Sequence, residues 1–165
     1  MKTEEIIRFA GRAISMIDQG AFLTVAAEDQ VNTMTIGWAM VGICWRKPIL
    51  MVAVRDSRYT FQLMEAAKDF SITAPTTNKR DEIFYCGTKS GRDVNKLEEC
   101  GLTIVPGRQS TSPVIDTPGL HMECKIIYKN AIDPDRLDRT YGAIYPEKDY
   151  HTLYFGEIVA CYELT

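Results

Sequence analysis

Residues 21–54, AFLTVAAEDQVNTMTIGWAMVGICWRKPILMVAV, are rich in Val, Ile, Thr, Trp and Met and are interrupted only at turn-like or charged positions. This composition is typical of β-strands that pack on a partly buried sheet surface. The stretch therefore predicts a meander of consecutive strands. The predicted strands cover residues 21–26, 32–40, 41–45 and 48–54.

Helical patterns flank this meander, and further strands follow it. Apolar residues recur at helical spacing from Thr3 to Asp18 and again from Ser57 to Lys68, with Ser57 as the predicted N-cap. Strands are also predicted over residues 69–74, 120–131 and 151–164, and brief helical pieces over residues 80–86 and 93–100. Because strands outnumber helices and do not alternate regularly with them, a mainly β protein is expected, an antiparallel barrel with helical decoration.

The size and charge of the chain limit its class. A length of 165 residues with 45% apolar content suits one domain over residues 1–165. The formal net charge of −3 provides no positive field for nucleic acid, and no run of about 20 apolar residues is present to span a bilayer. We therefore expect a cytoplasmic protein with neither nucleic acid nor membrane as a partner.

Five cysteines, at positions 44, 86, 100, 124 and 161, are odd in number and irregularly spaced. They form no C-x-x-C pair, so neither a disulfide framework nor a metal site is predicted. We expect buried, reduced thiols that pack as small apolar side chains.

The stretch Arg55-Asp56-Ser57-Arg58-Tyr59-Thr60 lies where a predicted strand ends and a helix begins. It concentrates two guanidinium groups and three hydroxyl groups at a helix N-terminus, where free backbone N–H groups and a partial positive charge attract anions. A phosphomonoester site is one interpretation. An ordinary capped helix with solvent-facing Arg and Tyr side chains is the other.

Two further stretches combine polar groups with glycine. Residues 32–39, NTMTIGWA, form a strand-like run with polar side chains on one face and a glycine that permits close approach of a flat ring. A half-buried strand with a core Trp explains the same alternation. Residues 86–97, CGTKSGRDVNKL, hold a polar turn with Lys89, Arg92 and Lys96, but lack P-loop and dinucleotide-loop spacing. A solvated turn explains that pattern equally well.

The two histidines, His121 and His151, each open a strand-like run. A lone histidine is more often structural than catalytic. The chain contains no nucleophile elbow and no zinc-protease helix, so a cofactor is expected to carry the chemistry if the protein is an enzyme.

Four motifs, taken in order, resemble those of the flavin-reductase-like family that includes flavoredoxins. They are NTMTIGW at 32–38, RDSRYT at 55–60, SGRDVNK at 90–96 and HTLYFGE at 151–157. The resemblance covers nearly the whole chain. It implies an FMN-binding split β-barrel with antiparallel, Greek-key-like strands that works as a homodimer.

The resemblance also implies roles for individual residues. The isoalloxazine ring would lie along Asn32, Thr33, Met34, Thr35, Ile36, Gly37 and Trp38. The phosphate would be held by Arg55, Ser57, Arg58, Tyr59 and Thr60. Ser90 and Lys96 would approach the cofactor, and His151 would lie where a nicotinamide enters, with His121 a weaker candidate. Asn95 and Leu97 stand where relatives commonly carry Asp and Phe.

The expected function is that of an NAD(P)H-dependent flavin oxidoreductase or a flavoredoxin-like electron carrier. NADH, NADPH or a small redox protein would reduce FMN, which would pass electrons to free flavin, a metal complex or another protein. Two alternatives stay open, a non-catalytic FMN-binding sensor or storage module and a related barrel that has lost its cofactor.

Overall fold

A computed structural model describes residues 3–165, with side chains described from Arg8 onward. The elements follow the chain in the order α1 (Thr3–Asp18), β1 (Ala21–Ala27), β2 (Gln30–Ile36), β3 (Ala39–Cys44), β4 (Lys47–Arg55), α2 (Tyr59–Ala66), β5 (Asp69–Pro75), α3 (Arg80–Thr88), α4 (Lys96–Glu99), β6 (Ile104–Val105), β7 (Val114–Ile115), β8 (Gly119–Ala131) and β9 (His151–Leu164), with 3-10 helices at Pro134–Arg136 and Arg139–Ile144. Among these described residues, no helix has the length and apolarity that crossing a membrane requires.

Seven strands form one sheet in the order β2-β1-β5-β8-β9-β4-β3, and β6 pairs with β7 separately. Every strand pair in the large sheet is antiparallel. The predicted mainly β, antiparallel architecture is confirmed. Because β8 and β9 lie between β4 and β5, α2 connects two strands that are not neighbours.

The predicted strand over residues 32–40 is wrong in its extent. β2 ends at Ile36, Gly37 and Trp38 lie outside the strands, and β3 begins at Ala39. The physical reason is the topology, since β2 and β3 lie at opposite edges of the sheet and the chain must leave one edge to reach the other. At this crossing the Trp38 carbonyl accepts a hydrogen bond from the Ala53 N–H, at 3.1 Å.

The main core lies on one face of the sheet. Buried Leu23, Leu50 and Ile72 from three different strands meet there, and Ile17 of α1 and Met64 of α2 pack against the same face. Burying side chains of this size contributes about 1.5–3 kcal/mol each. This packing fixes the start of α2 beside the sheet, and that start carries the predicted anion motif.

Two predictions about local structure are corrected. α2 begins at Tyr59 with Arg58 at the N-cap position and no side-chain cap, so Ser57 is not the N-cap. The Ser57 hydroxyl donates instead to the Asp149 carboxylate, at 2.7 Å. Cys86 and Cys124 are buried as expected, but Cys44 is exposed because it ends an edge strand.

Candidate functional site

Two of the predicted motifs, together with Met34 of β2, meet around a pocket of about 180 Å³. The end of β4, the start of α2 and the segment between α3 and α4 form most of its wall. Five cationic side chains line it, those of Arg55, Arg58, Lys89, Arg92 and Lys96. Asp149 is the only carboxylate among its described lining residues. The pocket is therefore suited to an anion.

Arg55 and Ser57 are both held by Asp149. The Asp149 carboxylate accepts from the Ser57 hydroxyl at 2.7 Å and from the Ser57 N–H at 3.2 Å. Arg55 donates to the Asp149 carbonyl at 2.7 Å, and its guanidinium lies 3.8 Å from the carboxylate. The Asp149 carboxylate thus occupies the Ser57 donors, and the sequence predicts that Ser57 holds a phosphate.

Two arginines connect the start of α2 to the last turn of α3 and to the segment after it. Arg58 donates to the Gly87 carbonyl at 2.9 Å, and Arg92 donates to the Ser57 carbonyl at 3.1 Å. The Arg92 guanidinium also lies 5.5 Å from the centre of the Tyr59 ring. These contacts bring two stretches that are distant in sequence to one pocket wall.

Gly91 shows how closely this wall packs against β2. A Cβ atom at Gly91 would clash with the side chains of Asn32 and Tyr59. The Tyr59 hydroxyl donates to Gln30, and the Thr60 hydroxyl accepts from the Asn32 amide at 2.7 Å. Ser90 lies beside Gly91 and lines the pocket.

Lys96 is a buried cation at the pocket wall, with only 5% of its surface exposed. Its ammonium donates to the Thr33 carbonyl at 3.0 Å and to the Cys86 carbonyl at 2.8 Å. Burial lowers its pKa, and the charge of Arg58 adds to that effect. Since an ammonium has three N–H donors, these two carbonyls leave one for a ligand.

The predicted polar face of β2 holds Thr33 and Thr35, whereas Asn32 lies on the opposite face. Neighbouring strand residues alternate, and the buried Asn32 and Thr33 point in opposite directions. The Thr33 hydroxyl donates to the Leu23 carbonyl at 3.2 Å. Met34 and Ile36 both belong to the main core, and Met34 also lines the anion pocket.

A second, more apolar pocket of about 440 Å³ adjoins the first at Thr88. Thr35, Gly37 and Phe84 line it, and the Thr35 hydroxyl donates to the Ile83 carbonyl. Apart from Gly37 and its two chain neighbours, no heavy atom of the described residues lies within 4 Å of the position that a Cβ atom would take at Gly37. A flat group therefore has room beside this backbone.

His151 lies under Trp38, with 4.6 Å between the ring centres. Its Nδ1 atom is 2.9 Å from the Tyr145 hydroxyl. Burial, together with the positive charge of Arg55, lowers the pKa of His151 to about 4. His151 is therefore neutral at physiological pH, and its strand partner Arg55 connects it to the anion pocket.

His121 is not brought to either pocket. It is fully buried, with Nδ1 3.2 Å from the Thr73 hydroxyl and Nε2 3.0 Å from the Thr117 carbonyl. The sequence interpretation also missed Asp149 and Tyr145. Both belong to the polar connection before β9, where nothing in the local pattern distinguishes them from solvated loop residues.

Solved structures of other proteins share this fold. Flavoredoxin of Desulfovibrio vulgaris (Miyazaki F) is 24% identical, with a TM-score of 0.70 over 88% of this chain and 69% of that one. An FMN-binding domain of a flavin reductases-like enzyme from Shewanella baltica is 18% identical, with a TM-score of 0.69 over 93% and 74% of the two chains.

A third protein, from Shewanella frigidimarina, is described as having a split barrel domain. It is 13% identical, with a TM-score of 0.70 over 99% of this chain and 79% of that one. The fold of this chain is accordingly the split barrel, as predicted. The model of the flavin reductase like domain matches residues 15–165, and the chain therefore belongs to that family.

Proposed function

We propose that this chain binds FMN and works as a flavoprotein oxidoreductase, either an NAD(P)H-dependent flavin reductase or a flavoredoxin-like electron carrier. The observation that carries the proposal is the 180 Å³ pocket with five cationic side chains, in which donors of the predicted phosphate motif already hold an anionic group. The family of the chain supports the same assignment.

The residues present fit the phosphate of FMN. A phosphomonoester carries about −1.5 to −2 charge at neutral pH and three acceptor oxygens. The Ser57 hydroxyl and N–H hold a carboxylate in this structure, so the same two donors suit a phosphate oxygen. Arg55 and Arg58 would add charge-assisted hydrogen bonds. Thr60 and Tyr59 would support this wall through Asn32 and Gln30.

The residues of β2 and the Gly37–Trp38 crossing fit a flat ring. Gly37 faces open space, and this stretch contributes Met34 to the first pocket and residues 35–37 to the second. Lys96 would keep a positive charge at this wall, which favours a reduced ring that carries negative charge. Ser90 lines the same pocket and would contribute a hydroxyl.

When bound, FMN supplies the chemistry, because it accepts a hydride from a nicotinamide and releases electrons to an acceptor. The chain's own side chains bind and orient. His151 is neutral, buried beneath Trp38 and held by Tyr145, so it would position a nicotinamide indirectly, through the half-exposed Trp38 ring, and would not supply a charge. No side chain of the pocket needs to act as a nucleophile.

An anaerobic absorbance titration tests this proposal. Purified protein is titrated with FMN and then with NADH or NADPH while the flavin band is followed. Bleaching by one nucleotide supports a reductase and identifies its donor. Bound but unbleached FMN supports a carrier with a protein donor or a non-catalytic module, and absence of FMN binding contradicts the proposal.

The variant Arg58→Ala tests the phosphate assignment. Loss of a charge-assisted hydrogen bond should weaken FMN binding about ten- to a hundredfold, or about 1.5–3 kcal/mol, and should affect riboflavin much less. Arg136→Ala is a matched control, since the Arg136 side chain is 87% exposed and lies outside the pocket. Unchanged FMN affinity in Arg58→Ala would disprove the assignment.

The proposal includes a homodimer. Met40, Met51, Phe155 and Tyr128 are successive cross-strand neighbours on β3, β4, β9 and β8, and Trp45 contacts the last two rings. We call these five residues the outer apolar face. Along β4, Met51 lies between the core residues Leu50 and Val52, so its side chain points away from the main core. A second copy of the chain is its proposed occupant.

A single domain and a cytoplasmic location stay predictions of the sequence.

A further inference from the structure

Asp149 is the anion that the predicted phosphate donors hold in this structure. We propose that its carboxylate competes with the phosphate of FMN for Ser57, so that Asp149 determines how strongly the protein distinguishes FMN from riboflavin. The inference rests on the proposed function and adds a specificity-determining residue to it.

The competition follows from the geometry at Ser57. One carboxylate oxygen accepts from the Ser57 hydroxyl at 2.7 Å and the other from the Ser57 N–H at 3.2 Å. Each of these groups has one hydrogen to donate. A phosphate oxygen that takes either donor must therefore displace the Asp149 oxygen that occupies it.

Electrostatics favour replacement of the Asp149 carboxylate by a phosphate at Ser57. A phosphate with about two negative charges gains more than a carboxylate from the cations that surround this pocket. Asp149 is the only carboxylate among the described lining residues, and at close range it repels the phosphate. Displacing the Asp149 side chain costs part of the binding free energy of FMN. The affinity for FMN is therefore lower than the five cations alone would give.

The structure permits the carboxylate to move without unfolding the segment around it. Arg55 holds the main chain there, through the carbonyls of Asp149 at 2.7 Å and Ile144 at 3.4 Å. The Asp149 side chain itself is 26% exposed, so a change of its rotamer can carry the carboxylate toward solvent. Riboflavin has no phosphate and would leave the Asp149–Ser57 contact intact.

The variant Asp149→Asn tests this inference by equilibrium binding, with flavin fluorescence as the readout. It keeps the shape and one acceptor oxygen but removes the charge. The dissociation constant for FMN should fall about tenfold, equivalent to about 1.4 kcal/mol. The constant for riboflavin should change by less than about twofold, because no phosphate is involved.

Asp135→Asn is the matched control, because it makes the same charge change in the same connection at an exposed position outside the pocket. It should leave both constants unchanged. Asp149→Ser is a second variant that gives the same test if Asp149→Asn does not give a wild-type circular dichroism spectrum.

The other outcomes are distinguishable. Weaker FMN binding in Asp149→Asn would mean that Asp149 positions the phosphate donors, and would overturn the inference. An unchanged FMN-to-riboflavin ratio, or equal tightening of both flavins, would overturn it as well. Wild-type protein that binds neither flavin would refute the proposed function itself, before any variant is compared.

Discussion

His151 is enclosed by an aromatic ring, a hydroxyl group and an arginine. Its ring is buried under Trp38, its Nδ1 atom lies beside the Tyr145 hydroxyl, and its strand partner is Arg55. Burial and then the Arg55 charge lower the pKa to about 4, whereas Asp149 and Asp56 act in the opposite direction. The folded protein therefore stabilises the neutral form of this side chain.

This shift predicts a loss of stability in mild acid. His151 has a pKa of about 4 when folded and an ordinary value of 6.5 when unfolded. Between these values the unfolded chain binds more protons, so the contribution is fully present above pH 6.5 and is lost as the pH falls through 4. The slope from this group is at most about 1.4 kcal/mol per pH unit.

Urea unfolding of the wild type and of His151→Gln, from neutral pH to about pH 4.5, measures this effect. The free energy of unfolding of the wild type should fall more steeply than that of the variant. Asp69 and Glu123 affect both proteins equally. Despite their burial, hydrogen bonds lower their pKa values, so the stability that these two carboxylates contribute is lost only at still lower pH. Parallel pH profiles for the two proteins would contradict the prediction.

The sequence could indicate some of the individual site residues and not others. Arg55, Ser57 and Arg58 are adjacent in sequence at a strand-to-helix junction, so a local pattern is sufficient to group them. Asp149 lies 92 residues from Ser57, and only the pairing of β4 with β9 brings the two together. Likewise, nothing local shows that Lys96 donates to the carbonyls of residues 33 and 86.

Among the elements, two hairpin turns lack the residues that usually mark their turn type. Glu28 and Asp29 connect β1 to β2 with φ values of 52° and 61°, and Trp45 and Arg46 connect β3 to β4 with φ values of 51° and 58°. Two consecutive positive φ values define a type I′ turn, which usually contains Asn-Gly. Strand composition predicted the strands, but their ends depend on turns and edges that composition does not encode.

The first of these turns allows a stability prediction. Left-handed φ values strain Glu, are better tolerated by Asp, and suit Asn and Gly best, so the double substitution Glu28→Asn and Asp29→Gly should raise the free energy of unfolding by about 1 kcal/mol. The corresponding rise in Tm is about 2–4 °C, measurable by circular dichroism.

A contrasting pair shows whether the effect depends on φ. Glu98 and Glu99 lie in α4, where backbone angles are helical. Placing Asn at 98 and Gly at 99 should lower the free energy of unfolding, because glycine disfavours a helix by about 1 kcal/mol. A hairpin variant that is no more stable than the wild type would show that the turn is not strained.

For the whole molecule, the outer apolar face is the feature that a single chain does not explain. Met40 is 60% exposed, Trp45 57% and Tyr128 47%. Met40 is the cross-strand neighbour of Met51, and Trp45 and Tyr128 both pack on Phe155. Contiguous exposed apolar surface is uncommon on monomers and marks interaction sites. Alternation along single strands could not predict this face, because the face exists only when β3, β4, β9 and β8 lie side by side.

The variant Met40→Glu tests whether a second copy covers this face. A carboxylate is well solvated at a site so exposed in one chain, so the fold should be retained, but burying it in an interface without a partner is costly. Light scattering with size-exclusion chromatography should give twice the 18.6 kDa chain mass for the wild type and the single-chain mass for the variant. Ile104→Glu places the same charge at an exposed apolar residue of β6, outside this face, and should remain dimeric. A monomeric wild type, or a Met40→Glu variant that stays dimeric, would show that this face does not hold two copies together.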